Sequence, residues 1–294
     1  MLLNLKFADC RLQFGLDILT SGLALLVVCC CSGCRNSEAE SIANAKHELR
    51  MAVTTSTRDS GLVDHIIPVF ERENNASVLV IASGTGKALA SGREGNVDVV
   101  WVHSRKDEDE FVNDGHGMRR EEVMHNYFEI LGPASDPANV SGLNPIDALK
   151  KIAASKSIWI SRGDNSGTHK REFELWSASG IQPNWESYLE SGQGMGASLV
   201  IANEKKAYIL CDRGTYLAMR KKVQLIPLAQ KSDQLRNEYG ILSVNPNKNR
   251  KIESELADKL IEFLISTSTQ KMIEDFRVDG EPLFYPAHFD GSKP

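Results

Sequence analysis

Along the chain, short apolar runs alternate with polar stretches rich in glycine and hydroxyls, and each polar stretch opens an amphipathic segment. Residues 49–53 form one such run, and Thr54-Thr55-Ser56-Thr57-Arg58-Asp59-Ser60-Gly61 follows it. Leu62, Val63, Ile66, Ile67 and Phe70 then recur at helical spacing, which predicts strand, loop and helix in turn. Pro68 is expected to kink that helix or to stand near its end. Val78-Leu79-Val80-Ile81-Ala82 predicts a buried strand, and Ser83-Gly84-Thr85-Gly86-Lys87 leads into the next helix. Strands are predicted at 96–102 and 127–131, with a charged, solvent-facing helix at 105–113 between them. Residues 132–145, rich in Pro, Gly, Asn and Asp, read as a crossover. Asn144-Pro145 caps a helix that carries Ile146, Leu149 and Ile152.

The second half repeats the pattern. A strand at 157–160 runs into the polar stretch 161–172 and a helix carrying Phe173 and Trp176. A Gly-rich loop at 191–197 opens a helix, a strand follows at 207–210, and a further helix starts at Asp212. Strands are expected at 223–228 and 240–244. A helical pattern covers 252–276, continuous or broken near 266–269, and the tail Phe284-Tyr285-Pro286 packs back. Strands alternating with helices imply an α/β fold with parallel sheets and ligands at the strand C-termini. Five polar loops, each ending a strand and opening a helix, are too many for one small site on one sheet. Two lobes facing across a cleft let loops from both converge.

The polar loops carry a consistent chemistry. The first N–H groups of a helix have no internal partner, and the macrodipole places partial positive charge there. Gly163 and Gly167 let backbone approach a ligand closely, Arg162 supplies a planar charged fork, and Ser166 and Thr168 supply hydroxyls. A small oxyanion fits such a junction, and a well-capped helix with a paired arginine fits that stretch equally well. Ser83-Gly84-Thr85-Gly86-Lys87-Ala88 invites comparison with the phosphate-binding P-loop. It lacks both the first glycine and the hydroxyl after Lys87, which argues against nucleotide hydrolysis.

Composition narrows the classes. The 294 residues are 41% hydrophobic and 25% charged with net charge −5, as in an ordinary globular protein, and no basic stripe points to nucleic acid. An anion site in this acidic chain must depend on local dipoles and one or two cations. Residues 18–34 carry no charge and are shorter than a spanning helix needs, so they read as a signal-peptide core. They end in Ser32-Gly33-Cys34, which resembles the bacterial lipobox whose cysteine is diacylated, although Cys31 stands where that pattern prefers Leu. Residues 1–34 thus read as a signal peptide, ending either in a lipobox or in a plain cleavage site, and 35–48 as a polar tether. Cys211 alone remains in the mature body, so no intramolecular disulfide is expected there.

Several stretches occur in order: 52–62, Gly84-Thr85-Gly86-Lys87-Ala88-Leu89, Gly95-Asn96-Val97-Asp98, 161–169, Gly192-Gln193-Gly194-Met195-Gly196 and Asp212-Arg213-Gly214-Thr215-Tyr216. Together they resemble the tungstate-binding proteins of bacterial ABC importers. The resemblance implies a two-lobed type II periplasmic-binding-protein fold, with lobe I from 49–131 plus 239–294 and lobe II from 132–238. It implies a site lined by Thr54, Thr55, Ser56, Thr57, Gly84, Thr85, Arg162, Ser166, Gly167, Thr168 and Gly194. It further implies tungstate or molybdate as ligand, an ABC permease with its ATPase subunit as partner, a membrane tie through lipidated Cys34, and a periplasmic monomer without enzymatic activity or cofactor. The family run reads Thr-Thr-Thr-Ser, whereas Val53 holds the first position here. If that Thr contributes its side chain one ligand bond is lost, and if it only ends the strand nothing changes.

Other readings stay open at this level. Tungstate, molybdate and sulfate carry no proton at neutral pH and suit a donor-only site, whereas monohydrogen phosphate needs an acceptor such as Asp59, Asp98, Asp164 or Asp212. A serine hydrolase using Ser166 or Ser56 with His169 is a distant alternative, because no Gly-x-Ser-x-Gly elbow occurs. His169 itself is expected to be exposed or to touch the other lobe. The seven histidines are scattered without metal-ligand spacing.

Overall fold

The computed structural model describes residues 47–248 and 251–288. The signal-peptide and lipobox expectations, Cys34 included, and most of the tether lie outside the described residues. Strand β1 (His47–Thr54) pairs in parallel with β2 (Ala76–Ser83) and with β3 (Val99–Val102). Its residues alternate between two cores. Leu49, Met51 and Val53 pack against α2 (Leu62–Asn74) and α9 (Ser254–Ile265), while Ala52 packs on the other face with Leu89 and Phe111. This period-two split explains why apolar side chains stand on both faces of the strand, with Arg50 the exception, paired to buried Asp98. Each such side chain contributes about 1.5–3 kcal/mol on burial. Val53 therefore belongs to the core and is not among the residues that line the cavity described below.

The short helix α1 (Thr55–Asp59) begins directly after β1, α3 (Thr85–Arg93) after β2, and α4 (Arg105–Asn113) shortly after β3. Pro68 sits inside α2, whose buried stripe of Leu62, Val63, Ile66, Ile67 and Phe70 tolerates the missing N–H. In the second half, α5 (Pro145–Ala154) is capped by Asn144, whose Oδ1 accepts the Asp147 N–H at 2.9 Å. Strand β5 (Trp159–Ser161) runs into α6 (Gly167–Ser179) and pairs in parallel with β6 (Tyr188–Glu190). Helix α7 (Met195–Lys205) leads to β7 (Tyr208–Asp212), parallel to β5, and α8 (Arg213–Met219) follows. Here Trp159, Trp176, Tyr208 and Leu210 pack on one face, and Ile160, Leu199, Ile209 and Cys211 on the other.

Two long strands join the halves, and they depart from the sequence pattern. β4 (Gly117–Gly132) and β9 (Arg236–Val244) run antiparallel to each other, and the sheet order is β2-β1-β3-β9-β4-β7-β5-β6. The sheet is parallel only at its flanks. At its centre β3 pairs antiparallel with β9, β9 with β4, and β4 with β7. Only the last residues of β4 were predicted. Its first part bears Arg119, Arg120, Glu121 and Glu122, which look like loop residues. In the fold they form ion pairs: Arg120 with Glu108, Arg119 with Glu121 and Glu262, and Glu122 with Arg236.

Three smaller differences follow from position in the sheet. β2 is an edge strand, so Leu79 and Ile81 remain 50% and 38% exposed in place of the predicted burial. Of 223–228 only Ile226–Pro227 (β8) is strand, paired to Leu131 and Gly132. The long helical pattern is two helices, α9 and α10 (Thr267–Asp275), divided at Ser266, whose hydroxyl accepts the Thr269 N–H. The tail does pack back, with Tyr285 and Pro286 (β10) paired to His125 and Met124.

Candidate functional site

A cavity of about 630 Å³ opens where the loops of the two halves meet. The first half contributes Thr54, Thr55, Ser56, Gly84, Thr85 and His103, and the second contributes Arg162, Ser166, Gly167, Thr168, Gly194 and Asp212. Every residue predicted for the site lines this cavity except Thr57. That side chain is fully buried beneath it, and its hydroxyl lies 2.5 Å from Thr54 Oγ1. The volume far exceeds what one five-atom tetrahedral oxyanion fills.

Helices begin all round the cavity. α1, α3, α6, α7 and α8 start from Thr54, Gly84, Ser166, Gly194 and Asp212, each an N-cap lining the cavity. The caps fall into two kinds. Thr54, Ser166 and Asp212 accept the N–H groups of Thr57, His169 and Thr215. Gly84 and Gly194 make no side-chain cap, so the first-turn N–H groups of α3 and α7 have no side chain folded back over them. An approaching anion meets those donors and the positive ends of the helices at once.

Arg162 is the cation of the cavity wall. Its Nη2 donates to Asp164 Oδ2, and its Nε is buried with no hydrogen-bond partner. Burial works against the charged Asp164 carboxyl, but the hydrogen bonds from Ser166 and the Arg162 ion pair prevail and hold its pKa below the usual range.

The acidic candidates separate clearly. Asp98 is remote from the cavity: its buried carboxylate accepts Arg50 N and Nε at 2.7 and 3.0 Å and Glu253 N at 3.0 Å. Asp212 lines the cavity, yet both its oxygens are engaged by Thr215, through N–H at 2.8 Å and hydroxyl at 2.7 Å. Asp164 likewise has both oxygens bonded, to Arg162 and to Ser166 N–H. Asp59 lines the cavity and is exposed.

His169 is neither exposed nor turned to the other half. It is buried in its own loop, where Nδ1 accepts the Asn165 N–H at 3.0 Å and the ring packs on Phe173. Among the described residues no hydrogen bond joins its ring to Ser166 or Ser56, so the hydrolase pairing is not formed. Ser56 instead faces His103 Nε2 at 3.4 Å. Sequence reasoning missed His103, which follows β3 without any motif of its own. Among the described residues no cluster of three or more His, Cys, Asp or Glu is placed to hold a metal ion. Cys211 is buried, and burial pushes its thiol pKa up, leaving it an inert core residue.

Comparison with known proteins agrees with this geometry. The profile of the PBP superfamily domain matches residues 39–268. The tungstate-binding protein TupA of Peptoclostridium acidaminophilum is 42% identical over 278 residues, spanning 92% of this chain and 97% of that protein. Among solved structures, the tungstate-binding protein TupA from Desulfovibrio alaskensis G20 is similar at TM-score 0.76 and 41% identity, over 82% of this chain and 98% of that one. The tungstate ABC transporter structure from Geobacter sulfurreducens is similar at TM-score 0.71 and 47% identity, over 78% and 98% respectively. The chain belongs to the PBP superfamily and, within it, to the family of tungstate-binding proteins.

Proposed function

We propose that this protein is an extracytoplasmic receptor that binds tungstate, with molybdate as its closest competitor, and delivers it to an ABC permease and its ATPase subunit. The observation that carries this reading is the donor surplus of the cavity. Two glycine-capped helices present uncovered N–H groups, Arg162 adds a cation to the wall, and each oxygen of the Asp164 and Asp212 carboxylates already accepts a hydrogen bond. A ligand made only of acceptors fits such a cavity, whereas a proton-bearing anion would have to donate to Asp59 or to a second lone pair of an engaged carboxylate. Thr54, Thr55, Ser56, Gly84, Thr85, Arg162, Ser166, Gly167, Thr168 and Gly194 are the residues assigned to hold it. Thr57 supports Thr54 from below.

In the same reading the halves are lobes that close on the anion, meeting along β4 and β9, which explains a cavity larger than its ligand. The segment before Cys34 is cleaved as a signal peptide, and a lipid on Cys34, the new N-terminus, holds the receptor, as a monomer, at the outer face of the membrane. Among the described residues no helix is long and apolar enough to cross a membrane, so an anchor of this kind fits. Catalysis is no part of the role. A thermal-shift panel on the purified protein with tungstate, molybdate, sulfate, phosphate and chromate tests it through ligand linkage. Strong stabilisation by tungstate with little from sulfate or phosphate is expected. Stabilisation by phosphate alone would transfer the site to another oxyanion and make Asp59 its acceptor.

A further inference from the structure

The hydroxyl groups at the end of β1 form a chain whose proton polarity can be worked out. The Thr57 hydroxyl is fully buried, and its one hydrogen bond among the described residues is with Thr54 Oγ1, at 2.5 Å. A buried O–H needs an acceptor, so Thr57 donates to Thr54. Thr54 Oγ1 also accepts the Thr57 N–H. Both lone pairs of Thr54 are then used, and its own hydrogen must point outward, toward Ser56 Oγ at 3.2 Å or into the cavity. Ser56 therefore cannot donate to Thr54, and the direction of its hydroxyl depends on the group at its other side.

That group is His103. Its ring packs on Tyr239, with centroids 4.9 Å apart, and presents Nε2 to Ser56 Oγ at 3.4 Å. Its Nδ1 is buried with no hydrogen-bond partner. The Asn237 side chain and the residue's own backbone lie beside the ring, but neither reaches bonding geometry with Nδ1, whereas Nε2 has Ser56 Oγ within reach, so the proton is placed on Nε2. Burial lowers the His103 pKa, which keeps the ring neutral near neutral pH.

We propose that His103 is a positioning residue for the anion site: its Nε2–H donates to Ser56 Oγ and turns the Ser56 hydroxyl hydrogen toward the cavity. With Thr54 already pointing outward, this edge of the cavity becomes donor-only. The consequence is selection for a tetrahedral dianion without a proton over one that carries a proton. The inference rests on the anion-receptor reading and names how one wall of that site discriminates.

A double-mutant cycle on the full-length protein tests it, with tungstate and inorganic phosphate as titrants and a thermal melt of each variant as a folding check. Ser56→Ala and His103→Phe, which keeps a ring on Tyr239, are each expected to weaken tungstate binding about tenfold. His103→Leu removes the same donor should the Phe ring not be accommodated. Because His103 acts through Ser56, the double variant should stay near tenfold and not fall about a hundredfold. His103→Gln, which keeps a donor at the Nε2 position, should recover most of the affinity, and His103→Phe should narrow the gap between tungstate and phosphate. Additive losses, or a His103→Gln variant as weak as His103→Phe, would overturn the role of His103 while leaving the receptor intact. A wild-type protein that binds none of these oxyanions would overturn the receptor reading itself.

Discussion

Gly167 and His103 meet at the floor of the cavity, one from each half, so closely that a Cβ on Gly167 would lie 3.2 Å from His103 Cε1. The backbone of Gly167 does not itself demand glycine, since it is the first residue of α6 and has no positive φ. Space demands it. Gly167→Ala should therefore act as a wedge on anion binding while leaving the unliganded fold intact, or slightly firmer by about 0.5 kcal/mol from the restricted unfolded chain. We expect affinity for tungstate to fall about tenfold with Ala and further with Val, read by titration calorimetry beside a melting curve. A melting temperature that drops while affinity holds would assign the contact to stability alone.

Arg162 is the cation whose loss should matter most. Removing it takes a charge-assisted donor from the anion and leaves Asp164 unpaired beside it. Arg162→Ala should weaken tungstate binding by about 2–5 kcal/mol, and Arg162→Lys should restore only part, since a point charge cannot serve Asp164 and the ligand as a fork does. Unchanged affinity in the alanine variant would take Arg162 out of the site.

Asp98 predicts the opposite separation. Its carboxylate ties β1 to the start of α9 through Arg50 and Glu253 N–H. Asp98→Asn should cost roughly 2 kcal/mol of stability, less than the ~3–5 kcal/mol of a fully buried pair, because the Arg50 side chain is 24% exposed. Tungstate affinity should not change. Denaturant unfolding measures the first quantity and calorimetry the second, and a selective loss of affinity would place Asp98 back at the ligand.

Glu172 gives a pH signature. Burial raises its pKa to about 7, against hydrogen bonds from Tyr188, Trp159 and Trp176 that favour the charged form. An unfolded glutamate titrates at ~4.3. Between those values the folded protein holds the extra proton, so the contribution is complete below the unfolded pKa and lost as pH rises through about 7. Glu172→Gln keeps an acceptor for the indole and phenol donors and cannot ionise. The stability of wild type relative to this variant should fall by on the order of 3 kcal/mol from pH 4 to pH 8. A flat difference across that range would show that Glu172 does not titrate in the window.

The cavity walls were readable in the sequence because their signals are local. A strand end, a glycine or hydroxyl cap and the following helix lie within a dozen residues, and Thr54, Gly84, Arg162, Ser166 and Gly194 all sit in such junctions. His103 was not readable, because its partner Ser56 is 47 positions away and nothing beside it marks a loop of that kind. Thr57 was misplaced for a related reason. A run of four hydroxyl residues does not say which one turns inward, and here the α1 turn buries the last of them. β4 hid behind charges whose partners come from α4, β9 and α9. The antiparallel centre of the sheet followed from that same hidden strand.

The central claim is that one oxyanion sits where these helix N-termini converge. Co-crystallisation with sodium tungstate, with data collected near a tungsten absorption edge, tests it most directly. One strong anomalous peak is expected in the cavity, within contact of the N–H groups following Gly84 and Gly194 and of the Arg162 guanidinium. A peak elsewhere on the protein, or none at saturating tungstate, would contradict it.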